Sequence, residues 1–399
     1  MYRVAVIIPV FNQWGYTSSC LKSLREHTPW ENVQVLVVDN GSTDKTPALC
    51  AQVGNEIFGS RFEYIRLEEN INFGPACNLG ARTADAQFLF FLNNDTECTP
   101  GWLEPLLNAF NDKTGAVGPL LLYPESNLVQ HLGISFTPTD NLIHLYHCIP
   151  AVSTLAQKGR KVQALTAAAL MIRRDLFTFV GGFCEEYKNG YEDIDLCASL
   201  GREGYTLKCV PESRIYHYTS MSEGRFDHDS ENCGVFMRRA ASLVRADTHL
   251  HAAQDGLDIA FNELLQVYYR LGEDKSRELE KWSSDAAFKE IFRMLVKYPY
   301  WEQGYELALK RAGKEVSVAF DILHSQALYF PLKRVYARLA KTARACGELQ
   351  EAEACLKELQ KMDEYFLSEP YMQRLKCIRK WAQLDNDAGL MKVYRELRG

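Results

Sequence analysis

Strand-length apolar runs alternate with helix-length segments through the N-terminal part of this 399-residue chain. The first run begins at Arg3 and is predicted to stop at Pro9, and the others lie at 33–39, 62–66 and 88–92. Short continuous apolar runs are typical of buried parallel strands, and strands joined by helices form right-handed crossovers. The pattern therefore predicts an α/β domain with a mostly parallel, Rossmann-like central sheet.

Polar residues directly follow three of these runs. Asn12 comes just past the first run, Asp39 ends the second, and Asp95 follows the fourth. Because ligands of open α/β sheets bind beyond the carboxyl ends of strands, we expect these side chains on one rim. A carboxylate beside the amides of Asn93 and Asn94 suits a hard divalent cation that bridges phosphates. An ordinary polar strand-to-loop transition would give the same residues, so this stretch alone leaves both interpretations open.

Seven short motifs occur in a fixed order between residues 3 and 225. They are Ile8–Asn12, Val37–Asp44, Asn72–Gly80, Leu92–Thr96, Gly181–Phe183, Tyr191–Leu196 and Ile215–His217. Together they resemble the motifs of family 2 glycosyltransferases, which have the GT-A fold. The first strand is not followed by G-x-G-x-x-G, which argues against a dinucleotide-binding oxidoreductase.

The resemblance implies a divalent metal, Mn²⁺ or Mg²⁺, bound through Asp95. Asp95 matches the last carboxylate of the family's D-x-D motif, and Asn93 stands at its first position. Asp95 is thus the only carboxylate of the triplet, with Glu97 a minor candidate. His217 matches a histidine that completes the metal shell or contacts the diphosphate. A lone histidine is otherwise more often structural.

The resemblance also implies a catalytic base. It assigns this role to Asp193 in the Glu192-Asp193 pair, so the product would have inverted anomeric configuration. Glu192 would orient the acceptor or its loop. Acidic residues also favour the first turn of a helix, which would explain Glu192, Asp193 and Asp195 without any catalysis.

The remaining residues implied by the resemblance contact the nucleotide sugar. Asp39 would contact the base or ribose, although a plain turn at Asp39–Gly41 is an ordinary alternative. Asp44 in the same loop is predicted to cap the next helix. The other residues assigned to the nucleotide-sugar site are Pro9, Phe11, Asn12, Asn72, Asn78, Asn94, Asp95 and Arg225.

The chain length predicts two domains, which we place at residues 1–240 and 241–399. Helical spacing dominates the second, and we assign the apolar residues from Leu257 to Leu265 to a helix. Gly272, Gly313 and Gly347 are each expected to follow a helical segment. Gly313 and Gly347 lie 34 residues apart, which is one tetratricopeptide repeat. A plain helical bundle is the alternative. This domain would bind the acceptor, a protein partner or a second subunit.

Composition limits partners and location. The net charge of −6 argues against nonspecific nucleic-acid binding. The 12 cysteines lack paired spacing, which indicates reduced thiols in a cytoplasmic protein. No signal peptide is predicted, and no apolar run reaches the ~20 residues that span a bilayer. Membrane association would therefore be peripheral, at the inner face.

The resemblance implies a bacterial, metal-dependent, inverting hexosyltransferase of polysaccharide biosynthesis. It would move a sugar from a UDP- or dTDP-linked donor to a glycan, lipid-linked or protein acceptor. A catalytically inactive nucleotide-sugar-binding scaffold is the first alternative, against which the retained acidic residues argue. A nucleotidyltransferase is the second, but the loop after the first strand lacks that class's Gly-rich basic phosphate site.

Overall fold

The computed structural model describes residues 1–219 and 227–398. The strands within these ranges are β1 (Tyr2–Val10), β2 (Val33–Asp39), β3 (Phe62–Arg66), β4 (Ala86–Leu92), β5 (Thr96–Cys98), β6 (Thr114–Leu122), β7 (Val129–His131), β8 (Ile134–Phe136), β9 (Leu142–His144), β10 (Arg160–Val162), β11 (Ala169–Arg173), β12 (Thr206–His217), β13 (Leu257–Phe261) and β14 (Val267–Leu271). The helices are α1 (Trp14–His27), α2 (Thr46–Phe58), α3 (Phe73–Thr83), α4 (Leu103–Asn108), α5 (Arg174–Phe179), α6 (Glu192–Arg202), α7 (Asp229–Arg239), α8 (Thr248–Gln254), α9 (Glu273–Ser283), α10 (Phe288–Lys297), α11 (Glu302–Ala312), α12 (Val316–Tyr329), α13 (Lys333–Cys346), α14 (Leu349–Tyr365), α15 (Glu369–Leu384) and α16 (Ala388–Arg398).

One large mixed sheet organises the first part of the chain. Its strand order is β10-β12-β6-β11-β4-β1-β2-β3, with β5 beside β12 and β7 beside β6. β3, β2, β1 and β4 are mutually parallel, whereas β11 runs antiparallel to both β4 and β6. The predicted alternation of strands and helices is confirmed over β1 to β4. The α/β fold class is confirmed with it.

Strand β1 continues one residue beyond the predicted stop at Pro9. It pairs with β2 as far as Val10 and Asp39, but with β4 only as far as Ile7 and Phe91. The Val10 carbonyl accepts from Asn40 N–H on the β2 side. Because backbone groups alternate along a parallel strand, Pro9 faces the β4 side, where pairing has ended and no N–H is needed.

Successive residues of β1 point to opposite faces of the sheet, and both faces are buried. One face of β1 presents Val4, Val6 and Ile8, and these pack with Leu21 and Leu24 of α1 in one buried cluster. Ile7 on the opposite face is also fully buried. Burial on both faces explains the continuous apolar runs, because neither face of these strands meets water.

The chain divides into two compact units. Unit 1 comprises residues 1–134, 144–147 and 156–245, and unit 2 comprises residues 135–143, 148–155 and 246–399. Unit 2 thus includes two segments that precede the end of unit 1 in sequence. A chain cut near residue 245 would separate these segments from the remainder of unit 2, so point substitutions are the better test of each unit.

One element of unit 2 differs from the prediction. The segment Leu257–Phe261 is strand β13, which pairs antiparallel with β14, and Leu265 lies in the intervening turn with φ +54°. The predicted helix over 257–265 is therefore wrong. Gly272 likewise follows β14 and not a helix. An apolar residue every four positions fits a hairpin with one buried face as well as it fits a helix.

The part of unit 2 that follows β14 is helical, as predicted. Gly347 takes φ +85° between α13 and α14, a backbone conformation that favours glycine at a helix end. Leu323, Leu339, Ala340 and Cys355 form a buried cluster contributed by α12, α13 and α14. No helix within residues 1–219 and 227–398 combines the length and apolarity needed to cross a bilayer.

Candidate active site

The loops after β1 and β2 are locked together at the carboxyl edge of the sheet. Asn12 has φ +59°, and its N–H donates to Ser42 Oγ at 2.7 Å. Its side-chain Oδ1 accepts from the backbone N–H of Thr43 at 2.8 Å. Asn12 therefore shapes the rim through its backbone and its side chain. Phe11 beside it is 43% exposed, so its ring is accessible there.

Asp39 is fully buried at the end of β2. Its Oδ1 accepts from Ser42 N–H at 2.9 Å, and its Oδ2 accepts from the Tyr64 hydroxyl. Burial and the Asp39 carboxylate together raise the pKa of Tyr64, so the hydroxyl stays a donor at neutral pH. The plain-turn interpretation explains the Ser42 contact but not the Tyr64 contact.

The predicted helix cap at Asp44 lies one residue too early. The N-cap position of α2 is Lys45. Asp44 Oδ1 accepts from Thr46 N–H at 2.9 Å, and Oδ2 accepts from Trp14 N–H at 2.9 Å. One carboxylate therefore anchors the first turns of both α1 and α2.

An asparagine-rich turn leads into α3. Asn40 donates to Asn70 Oδ1 at 2.9 Å and to the Asn72 carbonyl at 3.1 Å. Asn72 has φ +71° and precedes the helix, whose first N–H, from Phe73, donates to Asn189 Oδ1 at 2.8 Å. Asn189 lies just before Glu192 and Asp193, so this bond ties the α3 turn to the start of α6.

Asn78 and Pro9 are turned into the protein. Asn78 Oδ1 accepts from Phe183 N–H at 2.9 Å, and its Nδ2 donates to the Phe183 carbonyl at 2.9 Å. Pro9 is buried within β1. Both residues are buried beside the rim, and their contact with the nucleotide sugar stays a prediction.

Asp95 and His217 are brought together by strand pairing. β5 pairs antiparallel with the end of β12, with Thr96 opposite His217, and Tyr218 N–H donates to the Asp95 carbonyl at 2.9 Å. The register places Asp95 Oδ1 at 3.2 Å from His217 Nε2. Both residues are buried, at 8% and 4% exposure. Two motifs more than a hundred residues apart thus meet at one point.

Gln130 on β7 fixes the orientation of His217. His217 Nδ1 lies 2.6 Å from Gln130 Oε1, and Gln130 Nε2 donates to the His217 carbonyl at 2.8 Å. Since an amide oxygen only accepts, Nδ1 must carry the proton in the neutral ring. The lone pair of Nε2 then faces Asp95. Gln130 was not predicted as a site residue, because it lies in none of the seven motifs.

The Asp95–His217 pair fits a divalent ion. With ligand bonds of about 2.1 Å, two adjacent ligands of one octahedral ion lie about 3 Å apart, close to the Asp95–His217 separation. A second hydrogen bond that fixes the tautomer is the usual arrangement for a ligating histidine. In the described part of the chain, no three His, Cys, Asp or Glu side chains are grouped to hold a metal. Remaining ligands would come from phosphate and water.

Two further polar residues flank this pair. Asn94 Nδ2 donates to Thr17 Oγ1 at 2.9 Å, which joins the loop after β4 to α1. Glu97 Oε1 accepts from the Tyr218 hydroxyl at 3.0 Å. Arg225, which the resemblance assigns to the nucleotide-sugar site, lies outside the described residues.

Asp193 and Glu192 stand in the first turn of α6. Glu192 is buried, and its Oε2 accepts from Gly190 N–H at 2.6 Å. Asp193 is less buried, and its Oδ2 accepts from Ala167 N–H at 3.0 Å. The next residue, Ala168, accepts from Asn93 N–H at 2.9 Å. The segment before β11, which sequence reasoning missed, therefore links Asp193 to the loop that carries Asp95.

The contacts of Asp195 hold two helices together. Its two carboxylate oxygens accept from Arg239 Nε and Nη2, each at 3.2 Å, and the Tyr187 hydroxyl donates to Oδ1 at 3.3 Å. The Asp195 side chain is only 6% exposed, whereas that of Arg239 is 41% exposed. Asp195 therefore attaches α6 to α7 by a bidentate pair whose carboxylate is buried.

Replacing Arg239 with methionine should destabilise the protein by about 1–3 kcal/mol, because it leaves a buried carboxylate without its strongest donor. Arg238→Met is the matched control, since Arg238 is 64% exposed and pairs only with exposed Glu186 and a helix carbonyl. It should cost less than about 1 kcal/mol. Urea unfolding of both variants measures the difference, and equal midpoints would contradict the assigned role of Asp195.

Comparison with known proteins identifies the family. The model of "Glycosyl transferase family 2" matches residues 5–180. An N-acetylglucosaminyl-diphospho-decaprenol L-rhamnosyltransferase of Mycobacterium tuberculosis is 31% identical over 223 residues, which cover 48% of this chain and 69% of that protein. The chain belongs to glycosyl transferase family 2. Its N-terminal region has the GT-A fold.

Other similarities are more distant or partial. O-antigen biosynthesis protein RfbC of Myxococcus xanthus is 30% identical over 336 residues, which cover 81% of this chain and 23% of that protein. This chain thus spans about a quarter of that relative's length. A crystal structure of GalNAc-T7 with UDP, GalNAc and Mn²⁺ superposes with a TM-score of 0.46 at 16% identity, over 54% of this chain and 44% of the other.

The family match does not reach every candidate residue. Asn12, Asp39 and Asp95 fall inside the matched residues, whereas Glu192, Asp193 and His217 lie beyond residue 180. The roles of these last three rest on the contacts described above and on the motif resemblance.

Proposed function

We propose that this family 2 chain is a metal-dependent, inverting glycosyltransferase that uses a nucleotide-sugar donor. The observation that carries the proposal is the Asp95–His217 pair at 3.2 Å, with Gln130 orienting the ring so that the Nε2 lone pair faces Asp95. This pair lies at the carboxyl edge of the sheet, where ligands of such folds bind. The Asp193 carboxylate is linked to the same loop through Ala167 and Ala168.

The mechanism is a single displacement. The bond between the anomeric carbon and the diphosphate oxygen breaks as the acceptor hydroxyl forms the new glycosidic bond. Asp193 takes the hydroxyl proton, and attack from the face opposite the leaving group inverts the configuration. Asp95 and His217 would hold a divalent ion, Mn²⁺ or Mg²⁺, which stabilises the charge that develops on the leaving diphosphate.

The other residues position the reactants. Glu192 fixes the turn at Gly190 directly before the base. Asp39 holds Ser42 and Tyr64 at the end of β2, where it would orient the nucleoside. Asn12, Asn72 and Asn94 shape the surrounding loops, and Arg225 is kept as a proposed phosphate contact.

The donor and acceptor classes follow from the resemblance and from the relatives' names. We infer a UDP- or dTDP-linked donor from the resemblance, and a hexose-type sugar because one relative is named a rhamnosyltransferase. The name of the rhamnosyltransferase also points to a lipid-linked diphospho-sugar as acceptor. The name of the second relative, an O-antigen biosynthesis protein, points to surface polysaccharide biosynthesis. A glycan or protein acceptor is the alternative. We keep the domain division at 1–240 and 241–399, a cytoplasmic location at the inner membrane face, and an assembly or partner role for the helical region as proposals.

A panel of nucleotide sugars tests the donor assignment directly. A ligand that binds only the folded state raises the melting temperature by mass action. We expect one UDP- or dTDP-sugar to raise it in the presence of Mn²⁺ and much less with a chelator. An equal shift with and without metal would contradict the metal role. No shift with any sugar nucleotide would contradict the function and favour the inactive-scaffold alternative.

Gln130 provides a separate prediction about the tautomer of His217. Gln130→Leu should weaken Mn²⁺ affinity by about 10- to 100-fold, as loss of an outer partner of a metal ligand typically does. Gln130→Glu keeps the acceptor for Nδ1–H and should retain more of that affinity. Calorimetric titration of Mn²⁺ in the presence of donor measures both. Wild-type affinity in Gln130→Leu would show that His217 needs no such support.

A further inference from the structure

Helix α10 of unit 2 exposes aromatic side chains along one line. At 100° per residue, Phe288, Phe292 and Val296 fall on adjacent parts of one helix face. Phe288 is 37% and Phe292 is 50% exposed, while Ile291 and Leu295 beside them are buried. Val296 is half-buried. The apolar arc of α10 is therefore wider than the core that covers it.

A line of cations runs directly alongside this aromatic edge. Lys289, Arg293 and Lys297 are spaced four residues apart, so they stack on one face next to the phenylalanines. All three are exposed. Lys297 Nζ also lies 5.4 Å from the ring centroid of Tyr298, the residue that follows α10. Basic and aromatic side chains thus share one side of the helix.

Some cations on other helices of unit 2 are paired with acidic side chains, unlike these three. Lys357 on α14 pairs with Glu353 at 3.0 Å, and Lys392 on α16 pairs with Glu396 at 3.9 Å. The sole acid of α10, Glu290, turns back to accept from Ala287 N–H at 2.8 Å. In the described part of the chain, no carboxylate forms an ion pair with Lys289, Arg293 or Lys297.

We propose that this face of α10 docks on an anionic phospholipid bilayer surface. A helix with aromatic residues on one side and Lys or Arg beside them lies in the membrane interface, with the rings among the acyl boundary and the cations at the headgroups. The net charge of the chain is −6, so attraction to an anionic surface must come from a local patch.

A second copy of the chain is a poorer occupant of the same face. A two-fold contact would place the same patch on both partners and bring the cation lines together. A nucleic acid is also a poor occupant, because three cations beside phenylalanine rings on an acidic chain offer few phosphate contacts. Only the reason for membrane docking rests on the proposed function: docking would bring the chain to a lipid-linked acceptor.

Vesicle cosedimentation with the full chain tests the proposal without donor or turnover. We expect the chain to bind vesicles of phosphatidylglycerol and phosphatidylcholine in equal parts and to bind vesicles of phosphatidylcholine alone far more weakly. Each Lys or Arg near an anionic surface strengthens binding by about fivefold. The triple variant Lys289→Glu, Arg293→Glu, Lys297→Glu should therefore bind on the order of 100-fold more weakly.

The matched control makes the same change in charge elsewhere on unit 2. Lys314, Lys341 and Lys376 are exposed and form no ion pair in the described ranges, so their triple replacement by glutamate should keep vesicle binding. Phe292→Ser should weaken binding with little effect on folding, and Phe288→Ser with Phe292→Ser should weaken it further. Melting temperatures confirm that each variant folds.

Several results would overturn the proposal. Wild-type protein that binds neither vesicle, or equal losses in the α10 and control triple variants, would each do so. Self-association abolished by Phe292→Ser in light scattering, without vesicle binding, would assign the face to a second copy instead. None of these results depends on transferase activity, so failure here and failure of the proposed function are separate outcomes.

Discussion

Replacing Asp193 with asparagine is expected to lower turnover by about 10²–10⁴ while donor affinity stays nearly unchanged. Asparagine keeps the shape of the side chain and can still accept from Ala167 N–H, but it cannot take a proton from the acceptor hydroxyl. The fold and the donor site should therefore persist, and only the chemical step should slow. Steady-state turnover and donor titration on the same preparation separate the two effects.

Asp175 provides a matched control for this substitution. Like Asp193 it is the second residue of a helix, and its Oδ1 accepts from the N–H of the next residue, at 2.8 Å against 2.9 Å for Asp193. Its side chain is 79% exposed on α5. Asp175→Asn should leave turnover unchanged. If both variants keep wild-type turnover, Asp193 is an ordinary helix-start residue and not the base.

Asp95→Asn is expected to abolish metal-dependent donor binding, a loss on the order of 100-fold or more, exceeding that for an outer-shell residue. The substitution removes the only carboxylate of the Asn93–Asp95 triplet and keeps its volume. Unit 1 should stay folded, because the Asp95 backbone contact with Tyr218 does not depend on the carboxylate. Titration of donor with Mn²⁺ and with a chelator measures the loss.

The control for Asp95 is the exposed loop residue Asp112, whose change to asparagine should not alter donor binding. His217→Ala should weaken metal or diphosphate binding more mildly than Asp95→Asn, because a neutral imidazole contributes no charge. Donor binding that keeps its full metal dependence in Asp95→Asn would remove this residue from the site. Unchanged metal affinity and turnover in His217→Ala would remove His217.

Local patterns predicted most of the sheet and its rim. The apolar runs that precede Asn12, Asp95 and the terminal Asp39 are visible in the sequence, because a strand buried on both faces is apolar until it reaches the edge of the sheet. The position of a polar residue at that edge follows from the end of the run. The juxtaposition of Asp95 with His217 came only from the resemblance, since no local pattern states that β5 pairs with the end of β12.

Other features depend on contacts that a single sequence does not record. Gln130 lies on a three-residue strand and acts through His217, far along the chain. No local pattern shows that the side-chain amide of Asn78 forms hydrogen bonds with the backbone of Phe183. The segment 257–265 was misassigned because its apolar spacing fits a helix and a hairpin equally, and only the pairing with β14 decides between them.

Identification of the products with and without Mn²⁺ tests the central claim most directly. The full chain would be incubated with the nucleotide sugar that stabilises it and with a lipid-linked diphospho-sugar acceptor. Phosphorus NMR identifies the released nucleotide, and proton NMR gives the anomeric configuration of the new linkage. The account predicts a nucleoside diphosphate and an inverted linkage, formed only with the divalent metal. Release of pyrophosphate, or a linkage with retained configuration, would contradict it.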